Sequence, residues 1–144
     1  MRNMTTSAIC AAVLMLLPLS EAEKGVLRIS IRGIKIAEGS IRIAACASEE
    51  EYTGRKEPSF RIIIPAQKDT VNGVLRNLKP GNYAVKAFHD RNDNGKLDKG
   101  FFGKPKELYG FSRNPEPGRG IPEWKQTLIR FSGNSTNITV NLAR

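Results

Sequence analysis

The sequence is poor in the residues that most catalytic and metal chemistry requires. One histidine, His89, and two cysteines, Cys10 and Cys46, occur in 144 residues. A single imidazole cannot build a multi-histidine zinc site, and two thiols cannot make a zinc ribbon or a disulfide framework. Acidic residues are also few, 14 against 23 lysines and arginines, giving a formal net charge of +9. That excess favours anionic surroundings without naming them. Long apolar runs are missing with one exception, and the exception lies at the N-terminus.

Ala8 to Leu19 (AICAAVLMLLPL) follows Arg2 and runs almost without polar interruption. It falls short of the roughly 20 residues a spanning helix needs. Ser20 and Ala22 then place small residues at −3 and −1 of a cut before Glu23, the pattern of an export signal. Residues 1–22 are therefore expected to be a signal peptide, leaving 23–144 as one domain. The protein is expected to be exported, periplasmic or secreted, and not membrane-spanning. Cys10 would leave with the signal, and Cys46, in the apolar run Ile41–Cys46, is expected to be a small buried hydrophobe.

In the remaining chain the dominant signal is alternation. Leu27, Ile29 and Ile31 interleave with Arg28, Ser30 and Arg32, the period of a half-buried strand. Ile41, Ile43 and Ala45 repeat it. Phe60–Ile64 reads as a third strand, Val71–Leu78 as a fourth and Tyr83–Phe88 as a fifth, the last introduced by the Pro80-Gly81 turn. Thr127–Phe131 and Ile138–Leu142 complete the set. Seven strands and no amphipathic helix predict an all-β fold, a seven-stranded antiparallel immunoglobulin-like or prealbumin-like sandwich. Arg28, Arg32 and Arg42 are candidates for one basic sheet face. Residues 90–123, rich in Gly and Pro, predict one long ordered loop. Such loops tend to carry function.

His89 to Asp98 (HDRNDNGKLD) has the spacing of the first nine positions of a calcium loop of the EF-hand type. Asp90, Asn92 and Asn94 fall at positions 1, 3 and 5, Gly95 at the sharp turn, Lys96 offers its backbone carbonyl and Asp98 takes position 9. A hard cation needs six to eight oxygens, and alternate residues of a tight loop aim theirs at one centre. Position 12 is Phe101 in place of the bidentate Glu, so Glu107 would have to fold back to supply the missing carboxylate. A weak calcium site is one expectation. A metal-free loop held by Asx-turns is the other. No further cofactor is expected.

Phe101, Phe102, Tyr109 and Phe111 put four aromatics among Lys99, Lys104, Lys106 and Arg113, with Trp124 soon after. These rings either stack on a ligand or fold inward to pin the loop. His89, Tyr109, Phe111, Ser112 and Trp124 are the candidate ligand-binding residues. By strand parity His89 shares a face with Val85 and Ala87, which predicts a buried, hydrogen-bonded imidazole. It is also the sole candidate base, and Gly110-Phe111-Ser112 lacks the second glycine of a nucleophile elbow. No constellation supports catalysis.

The stretch Pro80–Val85 (PGNYAV), then HDRNDNGKLD, then Gly103–Ser112 resembles an exported bacterial family known only as domain-of-unknown-function family 2141. Pro122 followed by Trp124 resembles its next landmark. The resemblance implies an envelope or secreted location and a transthyretin-like or immunoglobulin-like sandwich, with no established activity. The chain departs from the pattern at Asp93, Lys104, Leu108 and Arg113, where Gly, an aliphatic residue, Gly and Asn are expected. Leu108 thus puts a side chain where a glycine would allow positive φ. The functional expectation is an exported, non-catalytic binding module whose working end is the 89–113 loop. Anionic envelope polysaccharide or an envelope protein is the expected partner, and export disfavours nucleic acid. The alternatives are a structural or assembly component of the envelope docking a protein partner, and an envelope glycan hydrolase using Glu107 with Asp90 or Asp98.

Overall fold

Alternation in the sequence becomes alternation in burial. In β1 (Gly25–Ile34), Leu27, Ile29 and Ile31 are at most 1% exposed, while Arg28 and Arg32 face solvent. Each of those apolar side chains contributes about 1.5–3 kcal/mol by leaving water. The computed structural model describes residues 25–116 and 120–144, so the expected signal peptide at 1–22 lies outside the described residues.

Seven further strands follow: β2 (Ser40–Cys46), β3 (Phe60–Pro65), β4 (Asp69–Leu78), β5 (Gly81–Asp90), β6 (Tyr109–Phe111), β7 (Leu128–Phe131) and β8 (Thr136–Asn141). Two four-residue helices, α1 (Glu49–Tyr52) and α2 (Trp124–Thr127), interrupt them. One sheet has the order β4-β1-β8. The other runs β3-β2-β5, with β6 and β7 sharing the free edge of β5. β7 pairs with Gly81–Ala84 and β6 with Lys86–Phe88. The apolar faces of the two sheets meet in one core, where Leu27, Ile31, Val71 and Val140 oppose Ile41, Ile43, Val85 and Ala87.

The all-β expectation holds, with two corrections. The described residues form eight strands where seven were expected, because β6 is three residues long and too short to show a period among its Gly and Pro neighbours. The pairing is mixed, since β8 crosses back from the β7 sheet to lie parallel to β1. A third correction concerns the basic face. Arg28 and Arg32 belong to β1 and Arg42 to β2, so the three arginines sit on different sheets.

β6 also ties the two sheets together. The Tyr109 and Ala143 backbones exchange two hydrogen bonds of 3.0 Å. Between them Gly110 passes so close to β8 that a Cβ there would sit 2.4 Å from the Asn141 carbonyl oxygen. Only glycine fits this crossing.

Candidate ligand-binding site

β5 delivers His89 and Asp90 to the start of the long loop, on opposite faces. His89 points inward and is 1% exposed. Its Nε2 lies 2.7 Å from the Glu38 carbonyl oxygen, which can only accept, so Nε2 carries the proton. The expected buried, hydrogen-bonded imidazole is thus present.

Asp90 points to the outer face, where the loop covers it completely. Its Oδ2 accepts from Arg42 Nε at 2.5 Å and from the Gly95 N–H at 2.8 Å, and its Oδ1 accepts from the Asn94 N–H at 3.1 Å. Burial alone would raise this carboxyl, but the guanidinium and the two N–H groups outweigh it and hold Asp90 below the usual carboxylate range. Glu107 closes the other end of the loop. It does fold back, onto backbone: Oε1 accepts from the Arg91 N–H at 3.0 Å and Oε2 from the Asp98 N–H at 2.9 Å.

Between these anchors the expected ligand residues bond to one another. The side chains of Asn92 and Asn94 accept from the backbone N–H two residues on, at 3.3 Å and 2.9 Å. Both amides donate to the Asp98 carboxylate, at 2.7 Å and 2.8 Å. Lys96 is exposed. Asn92, Asn94 and Asp98 therefore converge, whereas Asp90 and Glu107 are committed to backbone and to Arg42.

The aromatic segment divides. Phe111 packs on Tyr52 with ring centroids 6.0 Å apart, and Trp124 packs on the same ring at 5.7 Å. Together they cover Cys46 and Ala84, making a second small core on the outer face of the β2–β5 sheet. Burial raises the Cys46 thiol and pushes the Tyr52 hydroxyl up to about 12. Ser112 is fully buried; its Oγ accepts from the Val85 N–H at 2.9 Å and donates to the Thr127 carbonyl. Ser112 is thus committed to joining β5 to the α2–β7 junction. Phe101 and Phe102 stand in solvent, 93% and 97% exposed.

What the folded chain assembles is a groove of about 530 Å³ on the outer face of the five-stranded sheet. Ala44, Ile63, Phe88, Leu97, Tyr109 and Phe111 supply its apolar surface. Among the described residues, four cations, Arg42, Arg61, Lys86 and Lys99, line it together with no carboxylate. Arg42 is held by Asp90, and Lys86 Nζ donates to the Tyr52 carbonyl oxygen at 2.8 Å. Arg61 pairs with exposed Glu57. Of the five residues expected to bind ligand, Tyr109 and Phe111 reach the groove. His89 and Ser112 are buried elsewhere, and Trp124 lines a separate pocket beside Tyr52.

Sequence reasoning singled out Arg42 only as part of a basic face, and it missed Ala44, Arg61, Ile63, Lys86 and Phe88. Parity could have found them, because all six alternate outward on three neighbouring strands. Sequence reasoning also missed Glu51, 4% exposed, whose carboxylate accepts from the Ala47 and Ser59 N–H groups and the Ser59 hydroxyl. Burial would raise Glu51, and these bonds more than offset it, so its carboxyl titrates below normal.

The model of an uncharacterised protein family conserved in bacteria, DUF2141, matches residues 29–139. The chain belongs to this family. No curated protein and no solved structure matches the chain. Two departures from the expected DUF2141 pattern fall on left-handed backbone: Asp93 has φ 52° and Arg113 φ 65°. The left-handed Asp93 accepts from the Ser40 hydroxyl at 2.6 Å. At Leu108 the expectation of positive φ fails. This DUF2141 chain keeps ordinary backbone there and packs the Leu108 side chain against the core.

Proposed function

We propose that this DUF2141 chain is an exported binding module, periplasmic or secreted, without catalytic chemistry of its own. Its ligand site is the groove on the outer face of the β3-β2-β5-β6 sheet. The carrying observation is an apolar trough lined, among the described residues, by four cations and no acid. Such a trough favours an amphipathic anion, with the apolar part against Ala44, Phe88 and Tyr109 and the charge beside Arg61 or Lys99. The volume lies within the range of small-molecule sites. The earlier expectation of an anionic partner carries over, narrowed to one with substantial apolar surface. Stacked sheets around a shared core support an immunoglobulin-like or prealbumin-like relation.

Anilinonaphthalene sulfonate, an aromatic anion, tests the groove on native protein. Saturable binding is expected, weakened about tenfold by Ala44→Trp, which fills the trough, and by Arg61→Glu, which reverses its exposed charge. Unchanged affinity in both variants, with native circular dichroism, would refute the groove as the site.

A second reading keeps weak calcium binding in the acidic loop. The observation favouring it is the convergence of Asn92, Asn94 and Asp98. Turning the two amides would aim two oxygens and a carboxylate at one cation. Asp90 could join only by sharing oxygens already held by Arg42 and two N–H groups.

A further inference from the structure

The exposed Phe101–Phe102 pair lies outside the groove and has no packing role. The two rings are 6.4 Å apart, and each is more than nine-tenths exposed. Fully exposed adjacent phenylalanines are costly in water and mark a surface that meets something apolar. The backbone holds them there. Lys106 N–H donates to the Asp98 carbonyl at 2.7 Å and Gly100 N–H to the Lys104 carbonyl at 2.8 Å, so residues 98–106 form a closed finger. Its base is fixed by the Glu107 clamp on the Asp98 N–H. At the tip Phe102 takes φ 63°, a left-handed conformation unusual for a bulky residue.

Charge identifies the occupant. Lys96, Lys99, Lys104 and Lys106 are all exposed and flank the two rings within eleven residues of chain. The carboxylates of the same stretch are internally engaged: Asp98 with the amides of Asn92 and Asn94, and Glu107 with backbone. An apolar wedge flanked in sequence by exposed ammonium groups matches an anionic lipid surface, with rings entering the headgroup–acyl boundary and lysines meeting phosphate. A purely apolar protein groove would leave the four lysines unanswered.

We propose that the 98–106 finger is a peripheral membrane-docking element that inserts Phe101 and Phe102 into an anionic lipid bilayer. Each ring adds apolar area to the insertion and each lysine adds electrostatic attraction that salt screens. Neither ring supports the fold, so both can be replaced without destabilising it.

Sedimentation of protein with phosphatidylglycerol–phosphatidylcholine vesicles tests this, with pure phosphatidylcholine as the neutral control. Wild type and a Phe101→Ser, Phe102→Ser double variant are made in the same exporting host. They share one N-terminus, so any binding by residues 8–19 is common to both. Wild type is expected to bind anionic vesicles at least about tenfold more tightly than the double variant, and to lose binding in high salt. Both proteins are expected to melt at the same temperature. A Phe102→Trp variant should show a blue-shifted emission component on anionic vesicles that is absent from wild type. Equal binding by wild type and the double variant would overturn the proposal. So would a wild-type dimer that the double variant loses, in the absence of vesicle binding, since the rings would then be a self-association contact.

Discussion

Replacing Asp90 by Ala should cost the protein about 3 kcal/mol. The carboxylate is 0% exposed and accepts three hydrogen bonds, one of them from a guanidinium. Removing one partner of a buried ion pair costs about 3–5 kcal/mol, because the other charge is left without compensation. The lower end applies here, since the Arg42 side chain keeps 26% of its exposure and water can partly reclaim it. The N–H groups of Asn94 and Gly95 lose their acceptor as well, and rehydrate only if the turn opens. For a domain of this size about 3 kcal/mol corresponds to roughly 10 °C in melting temperature. Urea unfolding followed by circular dichroism reads the free energy, and Arg42→Met with the double variant completes a cycle that isolates the pair.

The acid limb gives an independent check. The folded Asp90 carboxyl titrates below its unfolded value of about 3.9, so its stabilisation is fully present above that value. It is lost as pH falls through the unfolded value toward the lower folded one. Asp90→Ala should therefore flatten the fall in stability below about pH 4, leaving the share owed to Glu51, whose carboxyl is depressed in the same sense. A loss under about 1 kcal/mol with an unchanged acid limb would refute the assignment of Asp90 as the pin of the loop.

Two further outcomes are expected. Gly110→Ala should destabilise by about 1–3 kcal/mol, since its Cβ would meet the Asn141 carbonyl oxygen at 2.4 Å and Val140 Cγ1 at 2.9 Å. A melting temperature equal to wild type would show that the β6–β8 crossing yields. Titrating chelator-treated protein with millimolar Ca²⁺ should raise the melting temperature if the acidic loop binds the ion in the weak extracellular range. No calorimetric heat and no shift at several millimolar would remove the calcium reading.

The fold was legible wherever one face of a strand is buried. Leu27, Ile29 and Ile31 announced β1, and Tyr83, Val85 and Ala87 announced β5, because their alternation is the burial pattern itself. β6 was not legible, since three residues contain no full period and its glycine is set by an approach from β8. The parallel pairing of β1 with β8 joins the first and last strands of the described residues, and no local pattern encodes it. In the loop, spacing identified Asp90, Asn92, Asn94 and Asp98 as a group. It could not show that Asp90 is held by Arg42, 48 residues earlier. That pairing follows once the β2–β5 register places Ser40 opposite Asp90 and Arg42 one outward step along. The groove was hidden for the same reason: three strands from distant sequence positions supply it.

The two carboxylates that close the loop have a consequence for how this protein can change. Asp90 and Glu107 bond mainly to backbone N–H groups, and Arg42, the one side-chain partner among the described residues, lies outside the loop. The fastening is therefore largely indifferent to which side chains the intervening residues carry. Segments of different length and chemistry could be grafted between the two clamps while the β-sheets beneath stay intact. The fold would then serve as a fixed handle with an exchangeable tip, in descendants of this sequence and in the hands of an engineer alike.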